Sequence, residues 1–301
     1  MTWLLVAVSS YFLFAIVNLV DKNLLGRRIP NPQVYTFYIG SLGILLLGLA
    51  PFGFLTIPKV SILILALAAG IFHTLGVFVY LVGLKKFEVS RIIPAMGAFL
   101  PIFILGLTLI FSKKNEVLAF PDIIAFISLL LGSFLITLEK KKNITLTSIK
   151  IAILAAFFFA LYFITAKFVY LEQPFISGLI WTRVGAFLLA LCFLFSKAVR
   201  EDIKKPRIIQ GKTWAIFLSN EITSSSGFIL QNWAIALAPI IYLGIISALE
   251  GIQYVFILIF VILLSLKFPQ ILKEEISKEI IFQKFIAILL IGGGLMILYL
   301  F

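Results

Sequence analysis

Ten long apolar runs follow one another along the chain, and they constrain its fold more than any other feature. Each is close to or above the roughly 20 residues that a helix needs to cross a ~30 Å hydrocarbon core. The runs are continuous rather than alternating, which favours membrane helices over the strands of a β-barrel. The runs cover Trp3–Val20, Gln33–Ala50, Val60–Leu84, Val89–Phe111, Pro121–Leu138, Ile149–Tyr170, Pro174–Phe195, Thr213–Leu237, Pro239–Ser265 and Phe282–Leu300. We therefore predict an all-α integral membrane protein with ten transmembrane helices.

The composition excludes a soluble enzyme, a disordered chain and a disulfide scaffold. Of the 301 residues, 62% are apolar and 13% are charged, against roughly 45–50% and ~25% in soluble domains. A water-soluble fold of this size has too little interior to hide that much apolar surface. The single cysteine, Cys192, cannot form an internal disulfide. The first run has no basic region before it and no cleavage signal after it, so we expect it to stay as a helix.

An internal repeat divides the chain into two halves. The segment Phe12–Lys22 reads FLFAIVNLVDK and the segment Phe157–Lys167 reads FFFALYFITAK, with four of eleven positions identical. Later matches keep the same order, including Gly43 with Gly185. Since each half has an odd number of spans, the halves enter the membrane in opposite orientations, as in the inverted repeats of secondary transporters, whose site lies between the halves near the midplane. The predicted units are a five-helix repeat at 1–138, a cytoplasmic linker at 139–148 and a second five-helix repeat at 149–301.

The net charge of +12 is explained by topology without a nucleic-acid partner. The loops after odd-numbered helices hold 20 Lys and Arg residues, and the loops on the opposite side hold 4. Those four are Lys59, Lys113, Lys114 and Lys167. Because basic residues accumulate in cytoplasmic loops, this bias predicts a multi-pass protein of the cell membrane with both termini outside the cytoplasm.

Three charged residues stand near the midpoints of predicted spans: Arg183, Glu221 and Glu250. A charge there costs about 2.5–3.5 kcal/mol on insertion scales, so such residues are expected to face the bundle interior or water. The eighth span is the most polar, and Asn220, Ser224, Gly227 and Gln231 share one of its faces. Two adjacent polar stripes on one helix cannot face lipid, and they indicate a cavity or a polar helix interface. We predict a solute-binding cavity lined by Asn18, His73, Trp181, Arg183, Asn220, Glu221, Ser224, Gln231, Glu250 and Tyr254.

Two interpretations of the charges stay open. Arg183 could pair with Glu221 or Glu250 in a buried structural clamp, since polar side chains also hold membrane helices together. One arginine cannot neutralise two acids, so the spare acid could instead take up a proton and couple transport to protons. His73 is either a packing residue or a titrating one. The sequence predicts no catalytic residue, metal site or cofactor, and it leaves the oligomeric state open.

These residues resemble the drug/metabolite transporter superfamily and, within it, the EamA-type transporters. Members have ten helices in two inverted five-helix repeats, and the second helix of a repeat often carries an arginine on an aromatic background, as in WTRVGAFLLA at Trp181–Ala190. Their fourth helix often carries a Glu-Pro pair; this chain keeps the acid as Glu250 and has Gly251 in place of proline. The final helix, at Ile288–Leu298, is similar to the family's glycine-bearing closing helix.

The resemblance implies movement of small organic solutes, such as amino acids, nucleobases or drug-like molecules, through a central cavity. It also implies cytoplasmic termini, opposite to the charge bias. The first half departs from the pattern because Ser41 stands where the second half has Arg183.

The leading hypothesis is a secondary transporter of a small organic metabolite, an exporter or exchanger, working by alternating access. Its solute would lie between the halves, lined by the first, third, fourth, sixth, eighth and ninth helices. A lipid-carrier flippase is a second hypothesis, which lateral openings would favour. A membrane-embedded enzyme is a third, although the chain has no acid-rich metal motif and no Gly-rich phosphate loop. We therefore expect no enzymatic activity.

Overall fold

The computed structural model describes residues 1–27, 31–87, 89–111, 118–137, 145–204, 211–267 and 278–300, and within these ranges the chain is helical with no strand. The α-helices are α1 Thr2–Arg27, α2 Pro32–Leu42, α3 Val60–Lys86, α4 Val89–Phe111, α5 Phe120–Thr137, α6 Leu146–Glu172, α7 Phe175–Cys192, α8 Lys197–Lys204, α9 Gly211–Leu237, α10 Leu243–Ala248, α11 Glu250–Lys267 and α12 Lys278–Leu300. In the same ranges, three 3-10 segments cover Gly43–Phe52, Phe193–Phe195 and Ile240–Tyr242.

Within the described ranges, eight helical stretches are long and apolar enough to cross a bilayer. They are Thr2–Val20, Pro32–Phe52, Val60–Lys86, Phe120–Thr137, Leu146–Glu172, Phe175–Phe195, Ile240–Phe260 and Phe282–Leu300. A shorter apolar helix covers Ala95–Phe111. The most polar long helix, α9, is not among the eight. The chain is thus a multi-pass, all-α membrane protein, as the apolar runs predict.

Local sequence signals explain where several helices begin and end. Asn31 caps α2 by accepting a hydrogen bond from the Gln33 amide at 2.9 Å, and Pro32 occupies the first helical position. Thr145 caps α6 in the same way. Pro239 follows the end of α9 and separates it from the next span, as predicted.

Two predicted spans are not continuous α-helices. The second span is α-helical over Pro32–Leu42 and continues as a 3-10 helix over Gly43–Phe52. The ninth is divided at Leu249 into α10 and α11. The loop before α9 contains the short helix α8. The first six residues of the predicted linker at 139–148 lie outside the described residues.

The most extensive contacts join helices from the first part of the chain to helices from the second part. Helix α3 packs on α6 and α9 packs on α1; likewise α4 packs on α6 and α11 on α1, while α5 packs on α12. Helices α3 and α7 cross with their backbones in contact: a Cβ on Gly70 would overlap the Thr182 carbonyl oxygen, and one on Gly185 would overlap the Leu67 carbonyl oxygen. Only glycine allows this approach. The crossing holds α7, and with it Arg183, close to α3.

Candidate functional site

A cavity of about 640 Å³ lies between the helices. On α3 it is lined only from His73 onward, and on α1 only from Tyr11 onward, so it occupies the halves of these helices that end at the predicted cytoplasmic loops. On α9, which begins at that side, lining starts at Leu218. The cavity therefore extends from the middle of the bundle toward its Lys- and Arg-rich end. Its volume lies within the roughly 300–1,000 Å³ typical of small-molecule sites.

Eight of the ten residues predicted to line a cavity do line this one. They are Asn18, His73, Arg183, Glu221, Ser224, Gln231, Glu250 and Tyr254. They come from five different helices, and the fold brings them to one space. The cavity is also lined by α2, the Gly43–Phe52 segment and α7, in addition to the six helices that the sequence predicts.

Trp181 and Asn220 are the two predicted residues that do not line the cavity. Trp181 lies two residues before Arg183 on α7, and its indole nitrogen donates to the Thr56 carbonyl at 2.9 Å. Asn220 is buried at 4% exposure. Its neighbour Glu221 takes the cavity-facing position on α9, because adjacent helical residues point about 100° apart.

Arg183 lies at the deep end of the cavity and is only 8% exposed. Its guanidinium carbon is 3.5 Å from the centre of the Phe228 ring, a cation–π contact. Among the described residues, no carboxylate oxygen lies within the 4.0 Å of a salt bridge to this side chain. The ion pair of Arg183 with Glu221 or Glu250, one of the two interpretations left open by the sequence, is therefore not formed. The ring covers one face of the cation, and the Arg183 side chain lines the cavity.

An aromatic cluster surrounds His73. The ring centre of His73 is 4.8 Å from that of Phe228, 4.9 Å from that of Tyr162 and 5.9 Å from that of Phe159. Below these rings, Asn232 accepts hydrogen bonds from the hydroxyls of Tyr162 at 2.6 Å and Tyr170 at 2.7 Å. This network fixes the Phe228 face on which Arg183 rests.

Glu250 lies at the break between α10 and α11. It lines the cavity and accepts a hydrogen bond from the Tyr254 hydroxyl at 3.0 Å. Two backbone carbonyls before the break accept hydrogen bonds from other helices: Ile246 from Tyr11 at 2.8 Å, and Ala248 from Ser133 at 3.1 Å. Such partners are needed because unpaired backbone carbonyls are costly in a membrane interior.

The end of the bundle away from the cavity is closed by polar contacts. Thr56 donates from its hydroxyl to Gln173 at 2.8 Å, and its carbonyl accepts from Ser177 at 3.1 Å. Lys167 is buried at 3% exposure and donates to the carbonyls of Ala236 at 3.0 Å and Ala238 at 2.6 Å. Lys167 was counted from sequence as a loop residue; the structure corrects this to a buried position in α6.

A lateral gap borders the cavity between the Gly43–Phe52 segment and α9. Tyr35 of α2 and Phe217 of α9 contact each other, with ring centres 6.2 Å apart. Beyond that contact the two elements do not pack along each other in the described ranges. Leu45 and Ile222, one on each side, line the cavity while being 73% and 68% exposed. The cavity is thus accessible from the side of the bundle.

Tyr162, a weaker lining candidate from its place on the first helix of the second half, also lines the cavity. Sequence reasoning missed two other contributors to the site. Tyr11 lines the cavity, but a single tyrosine in an apolar run carries no distinguishing pattern. The second is the stripe of Gly43, Leu46 and Leu49, whose spacing of three matches the 3.0 residues per turn of a 3-10 helix. A signal was present in Gly43 and Pro51, which both disfavour a regular α-helix in an exposed span.

Comparisons with known proteins identify the fold alone. No protein-family model matches the chain, and no curated protein matches it. One solved crystal structure of a protein is similar over 99% of this chain and 96% of its own length, with a TM-score of 0.68 and 17% sequence identity. The whole helical arrangement is therefore one that a solved protein also adopts.

Proposed function

We propose that this chain is a secondary transporter of a small organic solute, working by alternating access between two inverted five-helix halves. The observation that carries the proposal is the cavity itself, which holds Arg183, Glu221 and Glu250 at mid-depth. It extends toward one end of the bundle, and α3 and α7 cross with their backbones in contact on the side toward the other end. A site accessible from one side at a time is what alternating access requires.

The helix packing supports the two inverted halves. If α1 corresponds to α6 and α3 to α9, a two-fold relation exchanges the α3–α6 contact with the α9–α1 contact, and both are extensive. The same two-fold relation exchanges α5 with α12, so it leaves the contact between these two helices unchanged. The α3–α7 crossing has its counterpart in α9 with α2 and the Gly43–Phe52 segment, and there the gap is found. One crossing closed and its counterpart open is the asymmetry expected of one state in such a cycle.

The charge distribution supports the orientation. The cavity extends toward the loops that hold most of the Lys and Arg residues, which accumulate on the cytoplasmic side. Burial of Lys167 strengthens the bias, since it removes one of the four basic residues assigned to the opposite side. We propose that both termini lie outside the cytoplasm, in the cell membrane, and that the structure is open toward the cytoplasm.

The test is a solute screen by thermal shift on the purified chain, followed by flux of any stabilising solute into liposomes. We expect at least one solute to stabilise the protein and to cross the bilayer in its presence. Ser224→Trp, which fills the cavity, should abolish both effects. Ser9→Trp, at an exposed serine away from the cavity, should leave both intact. Absence of flux for every stabilising solute would overturn the proposal.

A lipid-carrier flippase is a second candidate, and the gap beside Leu45 and Ile222 is the observation that favours it. The two candidates differ in where the solute comes from. Flux of a water-soluble solute supports the first, whereas transfer of a lipid between leaflets without such flux supports the second.

A further inference from the structure

The guanidinium of Arg183 lacks the partners that a buried cation requires. The side chain is more than nine-tenths buried and lines the cavity. Its Nε–H donates no hydrogen bond to any described residue. A guanidinium offers five N–H donors in a planar fork that matches a carboxylate. The Phe228 ring contacts a face of the cation and cannot satisfy these edge donors. The geometry therefore leaves a place for an anionic oxygen pair at the edge of Arg183.

The acids of the cavity limit what that anion can be. Glu250 already accepts a hydrogen bond from Tyr254. Glu221 and Glu250 both line the same space as Arg183. A ligand with two negative charges would place the second one near these carboxylates, where like charges repel. The cavity thus favours a single negative charge.

The gap lies next to Arg183. A Cβ added to Gly43, the first residue of the 3-10 segment, would lie 3.1 Å from Arg183 Cδ and 3.6 Å from its Nη1. From Gly43 the lining continues along Leu46 and Leu49, and the exposed Leu45 and Ile222 form an apolar rim. An apolar rim in the spanning part of the bundle faces acyl chains. A ligand whose head rests on Arg183 can therefore extend an apolar body toward lipid.

We propose that the cavity takes an organic monoanion that partitions into the membrane, with its carboxylate on Arg183 and its apolar body between α9 and the lining face formed by Gly43, Leu46 and Leu49, a face that excludes Gly48. This monoanion is the substrate class of the proposed transporter. Only its movement across the membrane rests on the proposed transport function. Binding itself requires no transport.

The first experiment measures thermal stabilisation of the full chain in lipid nanodiscs by decanoate, decylamine and decanol, which share an apolar body and differ in head charge. We expect stabilisation by decanoate alone. Gly43→Val crowds Arg183 and should weaken decanoate binding by roughly tenfold or more, as loss of a charged hydrogen bond does. Gly48→Val is the matched control, because a Cβ on Gly48 meets nothing within 4 Å, and it should bind as the parent does. Equal stabilisation by decylamine or decanol, or unchanged binding in Gly43→Val, would overturn the proposal.

The second experiment tests the lateral route. Leu45→Trp combined with Ile222→Trp narrows the gap and should slow the association of decanoate severalfold, while association of water-soluble benzoate stays as in the parent. Leu131→Trp, at an exposed leucine of α5 that does not line the cavity, is the control. Unchanged decanoate association in the double variant, or equal slowing of both anions, would refute lateral loading.

The transport proposal and the anion-site proposal can be refuted independently of each other. Decanoate binding that depends on Gly43, without liposome flux of any solute, would refute transport and keep the anion site. Flux of neutral or cationic solutes without binding of any monoanion would refute the anion site and keep transport.

Discussion

At the scale of single residues, Lys167 shows how a charge is held inside this bundle. Its ammonium donates to two carbonyls at the end of α9, those of Ala236 and Ala238. The last carbonyls of a helix have no partner within the helix and carry its partial negative charge, so a cation there is favourable. The lysine thereby ties α6 to α9 at the closed end of the bundle.

Lys167→Met keeps most of the side-chain volume and removes both hydrogen bonds. Because it leaves two buried carbonyls unsatisfied, we expect a loss of roughly 1.5–3 kcal/mol in the free energy of unfolding. The measurement is the melting temperature in detergent. The control is Lys59→Met, at an exposed lysine, which should melt as the parent does. Equal melting of the two variants would contradict the capping role.

Glu250 is the residue at which we expect proton coupling. It lines the cavity together with Tyr11 of α1, and it accepts a hydrogen bond from the Tyr254 hydroxyl. A carboxylate that releases and takes up one proton per cycle makes flux depend on the pH gradient, and an amide of the same shape cannot do so. Glu250→Gln should therefore abolish flux driven by a pH gradient and preserve solute counterflow at equal pH.

The assay compares both kinds of flux in the same proteoliposomes, with Glu172→Gln as the control, since Glu172 ends α6 outside the cavity. Gradient-driven flux that persists in Glu250→Gln would exclude this acid as the coupling group.

At the scale of helices, the division of the ninth span at Leu249 depends on its neighbour α5. Ser133 donates to the Ala248 carbonyl that the break leaves without its helical partner. The position after Glu250 must be small, because a Cβ on Gly251 would overlap Ser133 Oγ. Gly251 thus lets α5 approach closely enough to satisfy the broken helix.

Gly251→Ala should displace the Ser133 hydroxyl and destabilise the fold by about 1–3 kcal/mol, as overpacking does. Adding Ser133→Ala should recover part of the loss, because the two positions are in contact and their effects are not additive. Gly97→Ala is the control, since a Cβ there meets nothing within 4 Å. The melting temperatures of the parent, the two single variants and the double variant give the coupling between the two positions. Purely additive losses of stability would contradict a contact between them.

The positions of the eight apolar spans were predictable from sequence, and the internal shape of the second and ninth predicted spans was harder to predict. Apolar length and charge determine whether a segment can cross a membrane, so the second and ninth spans were found. The change to a 3-10 helix is signalled only by Gly43 and Pro51. The break at Leu249 is accompanied by a hydrogen bond from Ser133, which lies far away in sequence. The same holds for the site: helical spacing predicted the face of α9 that carries Ser224, whereas the role of Tyr11 required knowledge of which helix packs on it.

At the scale of the whole molecule, the α3–α7 crossing should control which side of the membrane reaches the cavity. Its backbones touch at Gly185, where even a methyl group would overlap the Leu67 carbonyl. A larger residue at this position forces the crossing apart and removes the closure toward the Lys- and Arg-poor end. The conformational equilibrium should then shift toward a state open on that side, because the substitution destabilises the closed state more than the open state.

The measurement is labelling of Ser224→Cys by a membrane-impermeant maleimide, in a background where the exposed Cys192 is replaced by serine. In intact cells we expect no labelling, and in inverted vesicles strong labelling, because the cavity extends toward the proposed cytoplasmic side. Lys59→Cys and Lys197→Cys, at exposed positions near opposite ends of the bundle, report sidedness in the same preparations.

Adding Gly185→Ala should produce labelling of Ser224→Cys in intact cells, whereas Gly106→Ala, where a Cβ meets nothing within 4 Å, should not. Labelling through the lateral gap is not expected, because a charged maleimide cannot pass through lipid to the gap. If Ser224→Cys reacts equally from both sides in the parent, the cavity is a continuous channel. If Gly185→Ala leaves the sidedness unchanged, the α3–α7 crossing is a structural contact that does not close the cavity.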